Sequence, residues 1–522
     1  MTPARRGKRR ASWRSGAARR AAALTVPAAF LAMPGAVAAH GLSPVYQSPL
    51  PLAVYLVGAG ATVALSFLFV LARDMRAGAA PAGRVVRVPT APRVILRALG
   101  LLGWLWIVGQ AIAGGSSNAE VASLFLWVYG WVLVAALSAL VGPVWQWLDP
   151  FATLHDIGAR VLHAFGTRGL EPAELPAALR TWPAVIGIGV VIWLELVAEV
   201  DAPTLTLFLV GYTLFTLAMM AQYGRDTWRA HGEIFSVWFG LLGRLAPFAP
   251  VPAAETAPDP DRVDPDAFDP RTVRRMPFAS GLLQARWRMP EIVLVALATG
   301  SIIFDGLSQT APWLNAFGVP SLASETVLLT VFLGMIVGAA LLVARAVSPS
   351  AIGSGLLPIA VGYLVGHYLT WVLIEGQRIV IALSDPFQQG ADLFGTSFYE
   401  PGGAWLPAGL VWTVQLAAVV GGHMLGAWAG HVSAARDLEA GARGRNTAAR
   451  EARDLRHRRI HDATPPVPEP APRVRNLRLR EVPLAVVMVA LTTLTLWSLG
   501  QAIVVSEESQ APAAVPGIAA GP

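Results

Sequence analysis

Stretches of about twenty consecutive apolar residues recur along this chain, and that is the length a helix needs to cross the hydrocarbon of a bilayer. They fall near Leu52–Ala72, Ile95–Ala113, Val121–Val141, Pro183–Val200, Thr204–Tyr223, Glu291–Asp305, Thr326–Ala344, Leu356–Leu373, Leu406–Gly430 and Val482–Val504. Strands of a membrane barrel alternate polar and apolar residues, and these stretches do not, so helices are expected. Only 14% of the 522 residues are charged, against roughly 25% in a soluble domain. The expected fold is an all-α integral membrane protein, a bundle of about ten transmembrane helices with one or two interfacial or re-entrant helices.

Two segments are candidates for that last class. Asp149–Phe165 opens with a capping aspartate and with Pro150 at the first helical position, and Leu154, Ile157, Val161 and Phe165 recur at helical spacing between polar residues. Glu233–Phe248 is apolar but short, and Arg244 interrupts it. The first reads as an interfacial helix and the second as an interfacial or re-entrant piece.

The net charge of +7 would suggest nucleic-acid binding in a soluble protein. Here the basic residues collect at the N-terminus and in alternate inter-span segments. Arg73 to Arg97, Arg160 to Arg180, Arg225 to Arg288, Arg345 and Arg436 to Arg480 are basic. Gly114–Glu120, Glu199–Pro203 and Gly306–Glu325 carry neither Lys nor Arg, and Arg378 is the exception in Glu375–Gly403. The alternation predicts a bacterial plasma-membrane protein with basic loops inside and both mature termini outside. The lipid bilayer is then the main partner, with a small molecule or metal reaching the protein from outside and no nucleic acid.

Residues 1–39 read as a signal peptide: a basic stretch Arg5 to Arg20, a short apolar run Ala21–Ala32, then small residues up to Ala39. An uncleaved signal anchor is the alternative. Cleavage after Ala39 would make His40 the terminal residue, with an amine and an imidazole able to chelate copper. Residues 40–430 form the main bundle, with a Pro/Asp-rich loop at 250–289 on the basic side. Residues 431–480 read as a charged, disordered linker, 481–505 as the last span and 506–522 as a disordered tail.

No cysteine is present, which excludes disulfides and thiolate chemistry. Ionisable groups inside hydrocarbon are costly and therefore functional candidates. Glu195, Asp305, His367 and Glu375 all fall in the outer half of spans that run outward, whereas His423 falls in the inner half of a span that runs inward. Glu195, Asp305, His367 and Glu375 are the candidate catalytic residues. His40, Asp305 and His367 are candidate ligands for a divalent metal, copper or zinc, whose bound water would be a nucleophile near neutral pH. Gly362 and Gly366 predict close helix packing beside His367. No phosphate-binding loop, zinc-protease helix or serine-nucleophile elbow is present.

Several stretches together resemble the polytopic bacterial membrane proteins labelled fenitrothion hydrolase. They are Ala39–Leu42 (AHGL), Leu65–Phe67 (LSF), Trp145–Phe151 (WQWLDPF), Trp193–Val197 (WLELV), Phe304–Gly306 (FDG), Gly366–Tyr368 (GHY) with Glu375–Gln377 (EGQ), Ser384–Pro386 (SDP) and Asp392–Thr396 (DLFGT). The most specific is Gly232–Phe248, GEIFSVWFGLLGRLAPF. The resemblance covers most of the chain from residue 39 to about 430. It implies hydrolysis of an organophosphate triester, with water displacing an aryl-oxide at phosphorus, and carries over no catalytic residues. Two other roles fit the same residues: a transporter or copper-handling protein, and a structural membrane protein with no small-molecule site.

Overall fold

A computed structural model describes residues 83–457 and 481–500, apart from 116–119, 167–170, 199, 261–262, 286 and 319–320, together with a few residues between 57 and 65. Side chains of 441–457 and of 499 are not described. His40 and the first expected span, near Leu52–Ala72, lie wholly or mostly outside the described residues.

The described chain is mostly helical. Seven helices are long and apolar enough to cross a membrane: α1 (Thr90–Ala113), α2 (Val121–Leu140), α5 (Ala202–Tyr223), α8 (Met289–Ser308), α9 (Leu322–Ala346), α10 (Pro349–Glu375, continuing apolar to Ser384) and α11 (Ala408–His457, apolar to Ala440). Two further expected spans form 17-residue helices, α4 (Trp182–Ala198) and, within α12 (Val482–Leu499), Val482–Ser498. At 1.5 Å per residue these extend about 26 Å, short of a full hydrocarbon layer. α1, α5 and α9 leave large apolar side chains exposed, among them Leu99, Leu102, Leu207, Leu214, Val331 and Leu342. Such faces are stable in contact with lipid and not with water.

Local chemistry sets several helix starts. α3 (Pro150–Ala164) begins as the sequence predicts: the Asp149 carboxylate accepts the Ala152 N–H at 3.0 Å and Pro150 occupies the first turn, where no donor is needed. Asp201 caps α5 through Thr204, and Ser348 caps α10 through Ala351. α6 (Arg225–His231) leads into α7 (Ile234–Leu242), which is buried along nearly its whole length inside protein. Glu233 makes that burial tolerable, because its carboxylate accepts the N–H groups of Phe235 and Ser236 at 3.1 and 2.6 Å.

Two stretches expected to be irregular have structure. Phe248–Pro252 (β2) and Phe268–Arg275 (β3) pair antiparallel, and Arg84–Arg87 (β1) completes a three-stranded sheet of order β1-β3-β2. The prolines of β2 are tolerated because it is an edge strand, and its register is irregular between Pro250 and Pro252. The other stretch is the expected linker from 431. There α11 continues unbroken to His457. Alanines at 434, 435, 440, 442, 448, 449 and 452 favour helix strongly enough to override the charge content.

α10 and α11 pack backbone to backbone through glycine. A Cβ on Gly422 would lie 2.5 Å from the Pro358 carbonyl oxygen, one on Gly362 would strike the Ala418 carbonyl, and one on Gly426 would strike that of Gly355. The contact predicted at Gly362 is therefore present. Gly422→Leu is expected to destabilise the bundle by about 3 kcal/mol, the upper end of overpacking costs. A thermal midpoint in detergent equal to that of the wild type would show that the two helices do not touch there.

Candidate functional site

Asp305 lies in the last turn of α8, where the helix dipole disfavours a carboxylate. Three donors offset that. His367 Nε2 lies 2.9 Å from Oδ2, the Tyr368 hydroxyl donates to the same oxygen at 2.7 Å, and Gln309 Nε2 donates to Oδ1 at 2.7 Å. His367 and Tyr368 come from the C-terminal half of α10, and the Asp305 and His367 side chains are only 13% and 11% exposed. With the carboxylate accepting at Nε2–H, the imidazole is held in one tautomer and Nδ1 keeps its basic lone pair.

Gly306 permits this approach. A Cβ there would lie 2.5 Å from the Tyr363 hydroxyl and 3.2 Å from His367 Cε1. Tyr363 stacks on the His367 ring at 5.7 Å and contacts Ser498 Oγ of α12 at 3.4 Å. Glu195 belongs to the same neighbourhood, close enough to Trp131 and to the Asp305 charge to be acted on by both. It sits in a π-helical turn, Leu194–Ala198, and Trp131 lies in a second π-helical stretch, Leu124–Val134. Such turns are rare and concentrate at functional sites.

The structure thus brings Asp305 and His367 into direct contact, with Glu195 close by. Glu375 lies two turns further along α10 and is tied to Arg378. His423 is apart from this group, fully buried, with Nδ1 2.8 Å from the Val419 carbonyl oxygen. Tyr368, Gln309, Trp131 and Tyr363 were not among the expected site residues. Two of them had a local signal, since Tyr368 directly follows His367 and Gln309 stands one helical turn after Asp305.

Among the described residues, the one group with three ligand atoms close enough to hold a metal ion is His231, Asp264 and Asp266. It does not include Asp305 or His367. His231 Nε2 is 3.2 Å from Asp264 and 3.7 Å from Asp266. Arg288 grips both oxygens of Asp266 at 2.6 and 3.0 Å, and Arg180 lies 3.6 Å away. The positive charge of two arginines already balances the group, so it also works as an ion-pair network tying the loop to the helices. Burial opposes ionisation of Asp264, but hydrogen bonds from His231 and the Asp266 N–H outweigh it and hold the carboxyl below its ordinary value. Stability from this group is present above the unfolded carboxylate range and is lost as pH falls through the lower folded value. Asp264→Asn is therefore expected to lower the thermal midpoint at pH 7 and to flatten its decline below about pH 4, the unfolded carboxylate range. A parallel decline in the variant would exclude Asp264 as its source.

No protein-family model, curated protein or solved structure matches this chain.

Proposed function

We propose that this multi-pass membrane protein is a hydrolase of organophosphate triesters, as its resemblance to the fenitrothion hydrolase family implies, with Asp305 and His367 as its acid–base pair. The observation that carries this reading is the 2.9 Å contact between His367 Nε2 and Asp305 Oδ2. In the proposed step a water oxygen attacks phosphorus as the bond to the aryl oxygen breaks. His367 Nδ1 takes the proton of that water, and Asp305 stabilises the imidazolium that forms. The aryl-oxide leaves with the bonding electron pair, and the imidazolium then returns its proton to solvent or to the leaving group. Tyr368 and Gln309 hold Asp305 in place as positioning residues.

The test is release of aryl-oxide from a phosphorothioate triester by the purified protein in lipid nanodiscs. A wild-type rate no greater than that of empty nanodiscs would exclude the hydrolase.

A second reading is favoured by Glu195. A second carboxylate beside Asp305, half-buried in a π-helical turn, is the kind of group that binds a proton or a metal cation in a transporter. Copper or proton uptake into vesicles, lost in Glu195→Gln, together with no triester hydrolysis, would establish it.

A further inference from the structure

A cleft of about 450 Å³ is lined by Arg93 and Arg97 at the start of α1, Asp156 and Arg160 on α3, Arg225 at the start of α6, and Arg271 on β3. Five arginines thus surround a single carboxylate. Asp156 is already shared, with Arg97 at 2.6 Å and Arg225 at 2.7 Å, and Asp226 also pairs with Arg225. His155 and these two arginines together hold the Asp156 carboxyl well below its ordinary value, although burial opposes the shift. Among the described residues, Arg93 bonds the Pro89 carbonyl and the Thr90 hydroxyl of its own turn. Among the described residues, Arg93, Arg160 and Arg271 have no carboxylate partner. Uncompensated like charges around one cavity raise the energy of the fold unless an anion enters.

We propose that this cleft binds the phosphodiester headgroup of an anionic phospholipid. Arginine forks match the paired oxygens of a phosphate, and Asp156 fixes two of the forks so that little side-chain entropy is lost on binding. The surroundings favour a lipid over a free phosphate. Among the described residues α1 is the least buried of the membrane-length helices, and α3 is amphipathic. α3 turns Asp156 and Arg160 to the cleft while Ile157, Val161, Leu162 and Phe165 stay exposed, by 39%, 49%, 53% and 83%. A polar wall that meets exposed apolar residues on the same helix suits a headgroup whose acyl chains run into the bilayer. The arginine-rich segments mark this as the side expected to face the anionic inner leaflet. The proposal does not depend on the chemistry at Asp305 and His367.

The test uses delipidated full-length protein in neutral detergent, with thermal unfolding and native mass spectrometry as readouts. Phosphatidylglycerol is expected to raise the thermal midpoint and to survive as a bound adduct, and phosphatidylcholine to do neither. The paired substitution Arg160→Gln and Arg271→Gln, at surface positions that cap no helix, is expected to abolish both effects while leaving the lipid-free midpoint in place. Equal effects of the two lipids, or an unchanged phosphatidylglycerol effect in the variant, would overturn the proposal. Inorganic phosphate alone giving the full shift would overturn the lipid assignment in favour of a free anion.

Discussion

Asp305→Asn and His367→Ala are each expected to lower triester hydrolysis by about 10²- to 10⁴-fold, the usual contribution of a positioned acid–base group. The two should fail for different reasons. His367→Ala removes the proton acceptor, so an external imidazole is expected to restore part of the rate. Asp305→Asn keeps the shape but replaces a charged acceptor by a neutral amide that must present its oxygen to His367, Tyr368 and Gln309. The charge-assisted bond is lost, and with it the stabilisation of the imidazolium and the preference for a basic Nδ1. Imidazole should not rescue it. A thermal midpoint equal to that of the wild type separates this from a mere folding defect. Rates for both variants equal to wild type would remove the pair from the chemistry, whatever the protein hydrolyses.

The largest stability effect is expected at Glu233→Ala, about 3–5 kcal/mol, the cost of breaking a buried charged network by removing one partner. The side chain is completely buried and takes four donors. Two are the N–H groups that start α7, and the others are Trp145 Nε1 at 3.1 Å and the Tyr212 hydroxyl at 2.8 Å. Truncation leaves all four without an acceptor in a place water does not reach. Of the hydrogen bonds between Tyr212 of α5 and the start of α7, it leaves only the Ile234 N–H bond to the Tyr212 hydroxyl. Glu233→Gln keeps one oxygen but turns an amide toward donors, so an intermediate loss is expected. Thermal unfolding of the detergent-solubilised protein, followed by tryptophan fluorescence, measures both. An unchanged midpoint for the alanine variant would show that α7 does not rest on this cap.

Much of the helical framework was legible because its causes are local. Hydrocarbon-length apolar runs are a property of the chain alone, and so is an aspartate followed by proline at the start of α3. Gly362 announced close packing because only a missing side chain lets backbones approach that closely. The three-stranded sheet was not legible. β1 and β3 are separated by more than 180 residues, and neither has a run long enough to signal a strand until the other supplies its hydrogen bonds. The extent of α11 was misread for the opposite reason, since its charges suggested a linker while its alanines quietly favoured helix.

For the candidate site, the sequence by itself determined which ionisable residues stand inside apolar runs and toward which end, because hydrocarbon tolerates so few of them. It singled out Asp305, His367 and Glu195, but could not say that they meet. Their positions differ by 62 and 110 residues. Only the packing of α8 against α10, with Gly306 leaving room for the imidazole, puts His367 on Asp305, adds Tyr368 and Gln309 as further donors, and leaves Glu375 with Arg378 instead. Tertiary structure decided this because a hydrogen bond depends on positions within tenths of an ångström, which the spacing of residues along a chain does not encode.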